Sequence, residues 1–340
     1  MRIHLFILFI TFIFTASCQT TNGSFDCIQR RAAFDIGSES TRIKVADVDT
    51  CHFKIVKVIL DESRKVSYKN DISNSPKKKF SEQIKVSGIN ALTELKLMAD
   101  KLDPKPIEYV GLATSAWRDA INSEEFAERV RKETKISIHV ITQKLEAKMG
   151  YLGALATTQN ASAGAVVWDI GGGSQQIITK SDDDFVVFES QMASVDFKNL
   201  VIKNVKMKDP KRVSTPNPIS PTQAGKAKAL AKGVVKDAPE EIRKAIKENP
   251  EQIYGIGGVH YYSIRGQTKT QTEYSSDDVQ KAVQAQSGKS DQQVGGEYAS
   301  TDVTNLILVQ GMMEALGISK VKLAKVNMTD GALVYSAIWH

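Results

Sequence analysis

Asp35-Ile36-Gly37-Ser38-Glu39-Ser40 and Asp169-Ile170-Gly171-Gly172-Gly173-Ser174 are two spellings of one phrase, placed half a chain apart. Each follows a short apolar run, Ala32–Phe34 in one case and Ala165–Trp168 in the other, and each precedes a further β-prone stretch. The pattern predicts strand, tight glycine turn, strand, with an aspartate closing the first strand. Glycine lets such a turn fold back sharply and lets backbone N–H groups converge on an anion. Serine hydroxyls add donors, and the aspartate can hold a cation bound to that anion, directly or through water. A single Asp-x-Gly turn is ordinary turn chemistry. Two copies predict a duplicated domain that clamps a phosphate-bearing ligand in the middle.

Working outward, the first half reads as an antiparallel meander (32–36, 41–47, 53–60), a polar loop over 61–79, and a long helix from Ser81 to about Leu102. Strands at 108–113 and 136–141 alternate with helices at 123–133 and 143–157. The second half restarts the theme with strands at 165–170, 175–180 and 185–189. A Pro/Ser/Thr loop (210–221), helices at 222–235 and 239–248, a strand at 252–255, a helix at 303–316, a strand at 320–325 and a terminal helix at 330–338 follow. The expected class is α/β, two halves packed about a central cleft. The halves are read as 27–153 and 154–340, with the terminal helix packing back on the first.

The chain of 340 residues is 41% hydrophobic and 25% charged, which excludes a disordered or multi-span membrane protein. Its start differs in kind. Arg2, the apolar run Ile3–Phe14 and the small residues Thr15-Ala16-Ser17 before Cys18 predict a signal peptide over 1–17, lipidation of Cys18 and a tether over 18–26. That places the protein outside the cytosol, in a bacterial periplasm or on an outer surface, anchored to the membrane. The two remaining cysteines agree. In a hairpin turning at Ser38-Glu39, Cys27 and Cys51 face each other across the open end, so a disulfide is expected. Lysines cluster at 77–79, 203–211 and 226–236, as solvated faces or as a draw for a polyanion. No nucleic-acid-binding motif is present.

Further segments carry chemistry. Thr114, Ser115 and Arg118 lie just past a strand end, where a guanidinium can fork onto phosphate oxygens. Glu146 opens a helix, where a carboxylate either complements the helix dipole or deprotonates a water. Gly255-Ile256-Gly257-Gly258 forms a third glycine turn. Gly288-Lys289-Ser290 lacks the glycine a P-loop needs, because Val283 stands there. The five histidines show no metal-ligand spacing.

In order and spelling, Asp35–Ser38, Ala113-Thr114-Ser115-Ala116-x-Arg118-Asp119-Ala120-x-Asn122, Glu146-Ala147, Asp169–Ser174 and Gly255-x-x-Gly258 resemble the exopolyphosphatase/guanosine pentaphosphate phosphohydrolase family. That family belongs to the actin-like, sugar-kinase and Hsp70 superfamily. The resemblance covers about residues 31–338. It implies two ribonuclease-H-like domains and, together with the signal segment, an exported phosphohydrolase that releases terminal phosphate from polyphosphate or a related phosphoanhydride such as pppGpp. It implies Glu146 as the group that activates water and Arg118 as a phosphate ligand. Gly37, Ser38, Ser40, Thr114, Ser115, Gly171, Gly172, Gly173, Ser174, Gly257 and Gly258 become the phosphate cradle. Mg²⁺ or another divalent cation is expected at Asp35, Asp169 and Gln176, and a homodimer is among the expected assemblies. The chain departs from the family's spelling at Glu39 (usually Asn), Gln175-Gln176 (usually Thr-Glu), Val259 (usually Thr) and Thr329 (usually Arg). Gln176 instead resembles the glutamine of secreted nucleoside triphosphate diphosphohydrolases (apyrases), which makes a nucleotidase one alternative. A phosphate-compound-binding lipoprotein with a decayed cleft is the other.

Overall fold

The computed structural model describes residues 27–158, 164–181 and 184–339. Residues 1–26, with the expected signal segment, the tether and Cys18, lie outside that range. Two sheets organise the rest. The first contains β1 (Ile28–Ile36), β2 (Ser40–Asp49), β3 (Lys54–Lys65), β4 (Tyr109–Ala113) and β5 (Ser137–Val140), in the order β3-β2-β1-β4-β5. The second contains β6 (Val166–Ile170), β7 (Gln175–Ser181), β8 (Asp184–Ser190), β9 (Ile253–Ile256), β10 (Glu273–Ser275) and β11 (Lys320–Leu323), in the order β10-β11-β9-β6-β7-β8. In both, three antiparallel strands are followed by two that run parallel to the first of them. The duplication in sequence is therefore a duplication in topology, with β10 added at one edge of the second sheet.

Strand side chains alternate between faces, and the sequence is written for burial on both. On the first sheet, Ala32, Phe34, Ile36, Ile43 and Val45 pack against the helices Glu82–Asp100 and Ser123–Thr134. The opposite face carries Ala33, Ala46, Val48, Val110 and Leu112, covered by Met149 and by Met328, Ala332 and Leu333 of the last helix, Met328–Val334. The last helix thus does pack on the first sheet. On the second sheet, Val166, Trp168, Ile170 and Ile177 face the larger core with the buried helix Ala299–Leu316. Val167, Ile178, Tyr254 and Ile256 face Ala147, Tyr151 and Ala154.

The helix Gln143–Thr157 therefore lies between the two sheets and touches both. Gly153, read from sequence as the start of a boundary, sits in mid-helix as a contact point. A Cβ there would stand 2.9 Å from the Gly331 amide, and one on Gly331 would collide with the Met149 carbonyl. Glycines at this crossing let the two helices approach backbone to backbone.

The expected loop over 61–79 is corrected. β3 continues to Lys65, and a short helix, Tyr68–Asn74, follows. β3 is an edge strand with an exposed outer face, so its polar residues carry no core-directed alternation to read. Cys27 and Cys51 are disulfide-bonded, with Cα atoms 5.5 Å apart. The register pairs Ile28 with Asp49, so Thr50, bonded to the Cys27 carbonyl at 2.8 Å, is the residue opposite, and the bridge closes one step beyond it.

Candidate active site

Both glycine turns form as β-hairpin ends and face each other. Gly37 N–H closes its turn onto Ser40 O at 2.9 Å, and Gly171 N–H closes its own onto Ser174 O at 3.0 Å. Among the described residues, the amides of Ser38, Glu39, Gly172 and Gly173 have no acceptor. They are the donors left for an anion, as the sequence pattern predicts for such turns. The turns also touch: a Cβ on Gly173 would stand 2.9 Å from the Ser38 hydroxyl and 2.8 Å from that of Ser115. Ser115 Oγ donates to Gly173 O at 3.3 Å. Gly257, at φ +81°, leaves no room for a side chain, because a Cβ would fall 2.2 Å from Asp169 Oδ1.

Aromatic packing explains how Arg118 reaches the site. Trp117, fully buried, stacks on Phe126 at 4.5 Å and meets Phe80 edge-on at 5.3 Å. This fixes the five-residue helix Ser115–Asp119 and turns the next side chain the other way. Arg118 Nη1 donates to the Ile141 carbonyl at 2.9 Å and to Glu146 Oε2 at 2.8 Å. Arg118 Nη2 is buried without a partner among the described residues, a donor in reserve beside the carboxylate. Asn122, at the end of the same motif, is a clamp: its amide bonds both backbone groups of Phe80, at 2.9 and 3.2 Å. Sequence reasoning had singled it out with no role.

Asp35, Glu146 and Asp169 converge on a cleft of about 2070 Å³ that opens between the two sheets. Burial, followed by the charge of Glu146, pushes the Asp35 carboxyl up to about 7, against Arg42 and Lys44. Asp169 rises to about 8 through burial, then Glu146, then Asp35. Glu146 is also raised by burial, but the Arg118 guanidinium holds it down. Three acids crowd one desolvated place and only Glu146 has a bonded cation. Such crowding of desolvated acids marks a candidate functional site. Among the described residues, the one grouping of ligand atoms within 4.8 Å of one another is Cys27, Asp49 and Cys51, where both sulfurs are in the disulfide. Asp35, Glu146 and Asp169 do not form such a grouping among the described residues.

The remaining expected site residues divide. Ser40, Thr114, Ser174 and Gly258 line the cleft. Gln176 opposes Asp169 in register, but it is 1% exposed, does not line the cleft, and leaves its Nε2 without a partner among the described residues. Glu39 leans against Gly172, 3.9 Å from where a Cβ would stand. Burial raises its carboxyl above the ordinary value, opposed by a hydrogen bond from Ser67 and by the charges of Lys65 and Lys198. Lys198, Lys203, Lys208 and Lys211 line the cleft, so one basic cluster faces inward. In the cluster over 226–236, Lys228 and Lys232 pair with Glu314. The sequence reading gives no helix over 190–209 and its lysine cluster starts at 203, so Lys198, on the helix Ser194–Asn204, goes unpredicted.

Residues 44–338 match the family model described as the Ppx/GppA phosphatase family. The chain belongs to that family. Among curated relatives, a bifunctional 3-dehydroquinate synthase/phosphatase of Fusobacterium nucleatum is 30% identical over 149 residues, which are 43% of this chain and 22% of that protein. Exopolyphosphatase 1 of Mycobacterium tuberculosis is 38% identical over 78 residues, 23% of this chain and 22% of its own length. These matches span under a quarter of either relative. The crystal structure of the Aquifex aeolicus Ppx/GppA family member superposes with a TM-score of 0.67 at 19% identity, over 90% of this chain and 97% of that one. At that identity the likeness shows the fold, the two-domain actin-like arrangement already evident in the paired sheets.

Proposed function

We propose that this Ppx/GppA family member is a phosphoanhydride hydrolase that releases terminal phosphate from polyphosphate or a nucleoside polyphosphate. One observation carries the reading: a half-buried carboxylate, Glu146, held by Arg118, lines the same cleft as two facing turns with four free backbone amides. A phosphate chain lies along the turns, its charge met by those amides and by Lys198, Lys203, Lys208 and Lys211. Glu146 orients a water in line with the terminal phosphorus and takes its proton. Arg118 opposes the rise that burial imposes on the Glu146 pKa and offers its spare Nη2 donor to the charge that develops on the equatorial oxygens. A divalent cation such as Mg²⁺ at Asp35 and Asp169 would neutralise phosphate charge when bound.

A second reading, a nucleoside tri- or diphosphatase, has its own support. The cleft exceeds the needs of a phosphate chain, and its wall carries Tyr262 and Tyr298, each more than half exposed, as surfaces on which a base can stack. A phosphate-release panel with Mg²⁺ separates the readings. Release from long polyphosphate, tripolyphosphate or pppGpp supports the first, and release confined to ATP or ADP supports the second. Silence throughout, with binding retained, contradicts hydrolysis. We place the protein outside the cytosol, tethered by a lipid on Cys18; the disulfide supports an oxidising compartment. Fractionation of cells carrying Cys18→Ser tests this, the variant leaving the membrane fraction.

A further inference from the structure

On the face of the first sheet that turns toward the cleft, β2 carries two cations at alternate positions, Arg42 and Lys44. Arg42 is the register partner of Asp35 on β1, and Lys44 is the register partner of Asp61 on β3. Directly opposed residues share a face, so Asp35, Arg42, Lys44 and Asp61 form one charged strip beside the apolar Ala33 and Ala46. Lys44 is 4% exposed, and its ammonium lies 2.7 Å from both carboxylate oxygens of Asp330, itself 1% exposed, and 3.8 Å from Asp61. Asp330 also accepts the Asn327 N–H at 2.9 Å, as part of the capping box that starts the last helix. The strip continues the other way: Arg42 bonds Asp61 at 3.2 Å and reaches Tyr262 of the second half.

The last helix is the junction of the molecule. Its Gly331 lies on the backbone of Met149, in the helix that carries Glu146. Just ahead of it, Ala324 N–H bonds Gly255 O at 3.1 Å, in the strand that leads to the third glycine turn. Whatever fixes Asp330 therefore fixes three parts of the site relative to one another.

We infer that the Lys44–Asp330 pair is a positioning latch: it ties the Asp35 hairpin to the start of the last helix, and through that helix to Glu146 and the third glycine turn. Lys44 touches no reacting atom in this scheme; it acts through the elements it joins. The inference rests on the proposed hydrolytic reading only for its kinetic consequence.

Amide hydrogen exchange on the full chain tests the latch without reference to activity. In Lys44→Met, which strands a buried carboxylate, exchange rises by about tenfold or more in 36–40 and 149–153 as well as in 328–334, while 123–134 is unchanged. A rise confined to 328–334, or spread evenly over the chain, overturns it. Lys44→Met/Asp330→Asn removes both charges and keeps a capping oxygen, so its melting temperature returns toward that of the parent. The latch predicts that its kcat on tripolyphosphate stays about tenfold low with KM within about threefold, and that Lys44→Arg recovers more than Lys44→Met. A kcat that recovers with the melting temperature shows a merely structural pair and overturns the inference. Lack of turnover by the parent chain contradicts the functional reading instead, and the exchange pattern then decides the latch alone.

Discussion

Glu146 is set between two opposing influences, burial that raises its pKa and Arg118 that lowers it. A general base must be ionised, so the acid limb of the pH–rate profile reports that balance. Replacing Arg118 by Ala removes the lowering influence, and Glu146 titrates higher. The limb moves to higher pH and kcat falls by about 10²-fold or more. A limb that stays in place would show that Arg118 does not act through Glu146. At this scale the sequence names candidate residues but not what they touch. Arg118 was read as a phosphate ligand, yet here both bonds of its Nη1 go to protein groups, because the Trp117 stack aims it at Ile141 and Glu146. Glu39 shows in the sequence only as a departure from the family's asparagine, whereas the Ser67 hydrogen bond and the charges of Lys65 and Lys198 come from segments distant in sequence.

Among the elements, the glycine turns are where backbone geometry and chemistry meet most tightly. Gly257 combines a left-handed φ with contact against Asp169. Gly257→Ala therefore costs about 1–3 kcal/mol in denaturant unfolding and displaces the Asp169 carboxylate, so turnover falls further than stability alone explains. Wild-type turnover in a folded Gly257→Ala chain would contradict that placement. The hairpins and the helix Gln143–Thr157 were legible because the hairpins end at Asp-x-Gly turns and the helix starts at the Thr142 cap. The end of β3 was not, since an edge strand has one solvated face. Nor was the π-helical turn Val259–Ile264, whose conformation follows from burying Val259, His260 and Ile264 against the second core. Such elements are set by tertiary contact, which local propensity does not record.

The whole molecule is two copies of one sheet closing on a shared helix, with acids gathered where they meet. Asp35 at about 7 and Asp169 at about 8 both lie above the unfolded value of 3.8. The folded state then holds protons that the unfolded chain releases. This contribution to stability is complete below about pH 4 and is lost as pH rises to about 8. In chelator, the melting temperature of the parent relative to Asp169→Asn should fall across that window, and Mg²⁺ should raise it more at pH 8 than at pH 5. A difference independent of pH and of Mg²⁺ would remove the case for a cation at these acids. The central claim is that Glu146 activates water against a phosphoanhydride. Phosphate release from polyphosphate and nucleoside polyphosphates, with Mg²⁺, by the parent chain and by Glu146→Gln tests it most directly. The account predicts release by the parent and a loss of about 10²–10⁴-fold in the variant, with tripolyphosphate binding retained. Equal release by the two proteins would contradict it.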